Sequence, residues 1–238
     1  MGVNSMGIPG QNKVFFTIYN GKLVIERLQK EELQKVVERL GQDFAEGDIK
    51  TRQISKGKNE GKDMYYYVFN DVSGKITNIK IAETDFGEVI NVEITDIGEN
   101  YTISLGDVFG RYSKDFIRRI NNLDLEEDVA FGTWSTETDN GKTYSGVRMY
   151  QEGNKIEYTE KIEDLPAPTE KRRGKKIEWD FSEQDTFLYK ILENYLEDNF
   201  RKPTNSVKES KPKDAPKTAT KAKKTKKTPE KESDLPWE

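Results

Sequence analysis

The chain has no cysteine and no histidine. Those two absences together remove disulfides, thiol nucleophiles, imidazole bases and the usual zinc ligands, leaving only carboxylates for metal or acid/base chemistry. The carboxylates do not assemble a motif: Asp85, Glu88 and Asp96 sit at predicted turns, where Asp shapes the backbone, and nothing completes a hydrolytic site around them. The expectation is a protein that is not an enzyme, with no catalytic residue, metal or cofactor. No apolar run approaches the roughly 20 residues that cross a bilayer. The first residues also lack the basic segment and apolar stretch of a secretory signal. A soluble cytoplasmic protein without a membrane partner is expected.

What the chain does have is charge, divided unevenly. Arg201 to Lys231 holds 12 Lys or Arg against 3 Asp or Glu, and the tip Glu232-Ser-Asp-Leu-Pro-Trp-Glu238 adds 3 acidic side chains; the 200 residues before them hold 27 basic and 37 acidic ones. Past Pro203 the chain is mostly Pro, Ala, Thr, Ser and Lys, which cannot build a core. Residues 201–238 are therefore predicted to be a disordered basic tail with an acidic tip, a form suited to touching partners. A body of 200 residues is one domain, or one domain with additions.

Within that body, Lys13 to Tyr19 and Lys22 to Leu28 are β-rich runs separated by Asn20-Gly21, the pair that best accepts a tight hairpin turn. Leu33, Val36, Val37 and Leu40 share one face of a helix over Gln29 to Leu40, which stops at Gly41. Ile49 to Ile54 and Met64 to Phe69 read as a second strand pair. From residue 73 onward the order is β-β-β-α-β-β: strands over Lys75 to Glu83, Glu88 to Thr95 and Tyr101 to Leu105, a helix over Ser113 to Ile120 capped by Ser113, then strands over Val129 to Ser135 and Thr143 to Gln151. This is the layout of an OB-fold, a small Greek-key barrel whose groove commonly binds single strands. The helix should plug the barrel bottom. A second helix, Ser182 to Phe200, carries Phe187, Leu188, Ile191, Leu192, Tyr195 and Leu196 on one face, with Ser182 as its cap.

The expected fold is mainly β with two or three helices. A β-rich extension over 1–72 adds hairpins to an OB core over 73–165, followed by a linker and helix over 166–200 and the tail over 201–238. Lys171-Arg-Arg-Gly-Lys-Lys176 reads as a flexible loop, either solvated or bound to phosphates.

The sequence resembles phage single-stranded DNA-binding proteins. The resemblance rests on Gly74-Lys-Ile-Thr-Asn-Ile79, Ile90-Asn-Val-Glu-Ile-Thr-Asp96, Tyr101-Thr-Ile-Ser-Leu105, Asn122-Leu-Asp124, Gly141-Lys-Thr-Tyr-Ser-Gly146 and Tyr150-Gln-Glu-Gly153. It rests also on the tail, which ends Asp234-Leu-Pro-Trp237 where the family typically has an acidic tip with apolar residues around a proline. Two departures stand out: the usual terminal phenylalanine is Trp237 here, and Glu238 follows it. The resemblance implies coating of single-stranded DNA in replication or recombination. It also implies recruitment of a polymerase, primase or helicase, with Leu235, Pro236 and Trp237 as anchors and Glu232 and Asp234 as steering charges. For a phage protein the compartment would be the host cytoplasm.

Binding without sequence preference needs flat π faces for bases and cations for phosphates. If Val129, Phe131, Val147 and Met149 point inward, pleating turns Trp134, Tyr144, Arg148 and Tyr150 outward. Trp134 then either meets a base or lies under the helix Ser182 to Phe200. Phe86 and Lys142 sit in the two loops that flank the groove of this fold. Lys75, Lys80 and Arg111 are candidates for the phosphates, and Tyr65 and Tyr67 are either exposed rings or apolar filling beside Phe69. An acidic tip competing for the groove would make binding self-limiting. Two alternatives stay open: a structural or adaptor protein of a replisome or virion with a basic arm, and an RNA-binding OB protein.

Overall fold

A computed structural model describes residues 13–42, 45, 47–173 and 176–201. The tail from 202 onward, with Asp234, Leu235, Pro236 and Trp237, lies outside the described residues.

The elements run β1 Lys13–Tyr19, β2 Lys22–Arg27, α1 Lys30–Arg39, β3 Lys50–Gln53, β4 Asp63–Phe69, β5 Asp71–Thr84, β6 Gly87–Asp96 and β7 Glu99–Asp107. There follow α2 Arg111–Ile117, β8 Asp128–Glu137, β9 Thr143–Gln151, β10 Asn154–Lys155, β11 Thr169–Arg173, β12 Lys176–Asp180 and α3 Ser182–Asn199. The chain is mainly β, with three helices among the described residues. Ten strands form one sheet in the order β10-β9-β8-β5-β6-β7-β1-β2-β4-β3, and β11 and β12 form a second, two-stranded sheet.

Alternation sets which face of the large sheet is buried. Ile79 on β5, Ile90, Val92 and Ile94 on β6, Ile103 on β7, Val129 and Phe131 on β8, and Val147 and Met149 on β9 all point into one core, joined by Val14 and Phe16 from β1. Each such side chain contributes about 1.5 to 3 kcal/mol by leaving water. The sheet curls around this core. At Gly74, with φ near 140°, β5 passes from its pairing with β8 to its pairing with β6, and a Cβ there would lie 2.6 Å from the Thr95 carbonyl. Only glycine fits that bend. The curl carries the β1–β2 turn back onto β8, where the Thr133 hydroxyl donates to the Gly21 carbonyl at 2.9 Å. Asn20 and Gly21 hold φ of 49° and 77°, as the predicted turn requires.

The expected barrel does not close: no ladder joins β7 to β9. β7 pairs instead with β1, in parallel, through Val14–Tyr101 and Phe16–Ile103. The edge of β9 away from β8 is taken by β10 near Tyr150 and Gln151, by the Ile156 N–H, which donates to the Met149 carbonyl at 2.9 Å, and by the Asp115 carboxylate on α2, which accepts the Val147 N–H at 2.8 Å. With both edges occupied, α2 packs against β7 and β9 and stands where a ladder would run. Phe116, Ile117 and Ile120 are buried as predicted.

Three local expectations are corrected. The strands β1 to β4 before residue 72 belong to the same sheet as the later ones, and the expected boundary at 72/73 falls inside β5. The helix starts also move: α2 begins at Arg111 after Gly110, leaving Ser113 buried inside it, and α3 begins at Ser182 itself, whose N–H is accepted by Asp180 at 3.1 Å. The third concerns the basic run: Lys171 to Arg173 belong to β11 and Lys176 to β12, where Ile177 and Trp179 alternate with charged residues and pair across to Arg172 and Glu170.

Candidate nucleic-acid interface

The outer face of β8 and β9 follows from their register. Ala130 faces Tyr150, Gly132 faces Arg148, Trp134 faces Gly146 and Thr136 faces Tyr144. Each large side chain is thus opposite a small one, which leaves room for it to lie across the ribbon. Arg148 uses that room: its side chain lies over Gly132, and Nη2 donates to the Asn70 carbonyl at 3.0 Å. The Trp134 indole lies over Gly146, with Nε1 3.1 Å from where a Cβ would be. Tyr144 and Tyr150 are exposed, and Trp134 and Arg148 are partly covered. The four candidates on these strands share one face in the order Tyr150, Arg148, Trp134, Tyr144. β10 extends the row by setting Lys155 directly opposite Tyr150. Sequence reasoning missed Lys155, since a two-residue strand leaves no periodic signal.

Further along the outer face, Glu93 on β6 gathers the cations. It accepts from Lys13 and Lys80 at 2.7 Å each and from Asn78 at 3.1 Å. Partial burial pushes the Glu93 carboxyl upward, but hydrogen bonds from Lys13, Lys80 and Asn78 outweigh it and hold the group down at about 2. Lys80 is therefore exposed but already paired. Lys75 bridges to Glu126 at 3.2 Å, and Arg111 donates to the Thr143 carbonyl at 2.7 Å, at the start of β9. Phe86 and Lys142 are exposed in turns at opposite ends of the β5–β8 pair, as strand direction dictates.

Tyr65 and Tyr67 turn the other way and pack against the core; the Tyr67 and Phe69 rings meet edge to face at 5.0 Å, and Phe69 meets Phe16 at 5.1 Å. Tyr66 is the outward ring. It meets Tyr19 at 5.2 Å, and the Arg52 guanidinium lies 4.9 Å from the Tyr19 ring while pairing with Glu26. That aromatic and basic patch on β1, β3 and β4 was legible only as alternation within Tyr65-Tyr66-Tyr67, because the partner rings come from strands distant in sequence.

Behind β9 a buried cluster holds the face in place. The Tyr158 hydroxyl donates to Asp115 at 2.6 Å, Arg119 lies 3.6 Å from the same carboxylate, and the Arg119 and Arg118 guanidinium groups stack on the Tyr158 ring at 3.7 and 4.1 Å. Burial, and then its bond to Asp115, push the Tyr158 hydroxyl pKa up. α3 packs on α2 and on the single helical turn Ile120–Asn122, and Lys114 pairs with Asp185 between the two helices. Among the described residues no group of His, Cys, Asp or Glu is arranged to hold a metal, and no helix is long and apolar enough to cross a membrane.

Comparison with protein families, with curated proteins and with solved structures finds no match to this chain.

Proposed function

We propose that this chain is a non-enzymatic single-stranded DNA-binding protein of OB-fold type, which coats exposed strands and recruits replication or recombination proteins through its acidic tip. The observation that carries the reading is the single outer face of β8 and β9, where Tyr150, Arg148, Trp134 and Tyr144 stand in a row over Ala130, Gly132 and Gly146. Rings at that spacing offer π faces to successive bases, and Arg148 and Lys155 offer cations to the phosphates between them. The strand order supports the fold. β9-β8-β5-β6-β7 is the order five-four-one-two-three of an OB barrel, with α2 between the third and fourth strands and filling the gap between third and fifth. The recruiting half of the proposal rests on Asp234-Leu-Pro-Trp237 in the sequence.

Acidic side chains outnumber basic ones in the body, which accords with a protein that stays off duplex DNA while leaving single strands a stacking platform. The test is titration of labelled oligo-dT at low ionic strength, followed by anisotropy and by tryptophan emission. Binding that weakens when Trp134 becomes Ala supports the proposal. Absence of binding to oligo-dT at low salt overturns it, and preference for oligo-U would assign the face to RNA.

A further inference from the structure

The β11–β12 hairpin pairs with no other strand among the described residues. Its register places Arg172 opposite Ile177 and Glu170 opposite Trp179, so these four side chains share one face. Ile177 and Trp179 are each 57% exposed, and Phe181, next in the same alternation, is 43% exposed. The other face is ionic, with Lys171 paired to Asp180. A lone two-stranded ribbon is marginal in water, and this one also holds an indole and an isoleucine in solvent. Its feet are nevertheless anchored. Asp180 accepts the Ser182 N–H at the start of α3, and Gln184 on α3 donates to the Pro166 carbonyl at 3.2 Å. α3 is seated on α2, and α2 on β9.

A chemically matched occupant regains what the exposed face gives up. Residues 169–180 carry five Lys or Arg against three Asp or Glu, on a body that is otherwise acidic, so charge complementarity favours a polyanion. The Arg172 guanidinium is exposed and paired with Glu170 at 2.8 Å, so a phosphate would take it from that carboxylate, while the indole beside it offers the flat surface that a base requires. A second copy of the chain would instead have to enclose the Glu170–Arg172 ion pair within an apolar contact. We infer that the β11–β12 hairpin is a second binding element for single-stranded DNA, in which Trp179 and Ile177 receive bases and Arg172 an adjoining phosphate. The inference rests on the proposed function, extending its footprint beyond the outer face of β8 and β9.

The test uses the full chain in two single-tryptophan forms. One retains Trp179 (Trp134→Phe with Trp237→Phe) and the other retains Trp134 (Trp179→Phe with Trp237→Phe). Oligo-dT is expected to quench both, and Trp179→Ala in the natural chain is expected to weaken binding of a long oligo-dT by about fivefold or more. Its circular dichroism and melting should not change, since the residue is exposed. Quenching of Trp134 alone, with affinity unchanged by Trp179→Ala, overturns the inference and leaves the proposed function standing. Silence of both reporters with no binding by anisotropy removes the proposed function itself. Sedimentation showing a dimer that Trp179→Ala dissociates gives the face to a second copy, and quenching of Trp179 by oligo-U alone gives it to RNA; either result overturns the inference.

Discussion

Arg148 lies across the bare backbone of Gly132, and its guanidinium donates to the Asn70 carbonyl at 3.0 Å. A Cβ at 132 would stand 2.8 Å from both Arg148 Nε and the Asn70 oxygen, so the glycine fixes where the cation rests on the outer face.

Replacing Gly132 by Ala is therefore expected to displace Arg148 and to weaken oligo-dT binding several-fold. Once Arg148 is already Ala the same change should cost less, the remaining loss coming from the clash with the Asn70 carbonyl. A double-mutant cycle on affinity measures this coupling, and purely additive losses would detach Gly132 from Arg148.

Arg148 and Trp134 should fail in different ways. Arg148→Gln removes one phosphate contact, lowering the slope of log affinity against log salt by about 0.7. Trp134→Ala removes a stacking face, costing about 1 to 3 kcal/mol at every salt concentration with the slope unchanged. Titrations at several ionic strengths separate the two.

Asp115 ties α2 to β9 and holds Arg119, whose side chain is only 3% exposed. Asp115→Ala removes the carboxylate facing the buried Arg119 guanidinium, which keeps its bond to the Ile156 carbonyl, and leaves the Val147 N–H without its acceptor. The expected loss of stability is about 3 to 5 kcal/mol, read from urea denaturation. An unchanged midpoint would mean that water or a shifted side chain replaces the carboxylate.

Glu93 supplies an acid-sensitive contact. Its carboxyl is held at about 2 when folded, against an ordinary value of 4.5, so its contribution is fully present above pH 4.5 and is lost as pH falls toward 2. Glu93→Gln should flatten stability over that window. It should also free Lys13 and Lys80 from their carboxylate and strengthen oligo-dT binding at low salt. Thermal melts against pH and a binding titration read the two effects separately.

Local chemistry made most of the strands legible. Lys13–Tyr19 and Thr143–Gln151 match the predicted strands end for end, Asn20-Gly21 turns as its pair demands, and Val129, Phe131, Val147 and Met149 face inward as alternation requires. The outward set of Trp134, Tyr144, Arg148 and Tyr150 followed from the same period of two. The β11–β12 hairpin escaped because five of the six residues from Lys171 to Lys176 are cationic and show no apolar alternation, while Ile177 and Trp179 alone are too short a run to mark a strand. The helix caps were missed because Ser113 and Ser182 resemble capping residues, whereas backbone geometry placed both inside their helices.

By itself the sequence determined pleat, turn chemistry and the face each side chain occupies, because these depend on residues only a few positions apart. Tertiary structure alone decided which edges meet. β1 took the edge of β7; β10, Ile156 and Asp115 took that of β9; and Glu93 took Lys13 and Lys80 together. Those outcomes turn on which distant group satisfies an open hydrogen bond or an unpaired charge, and spacing along the chain carries no record of that competition.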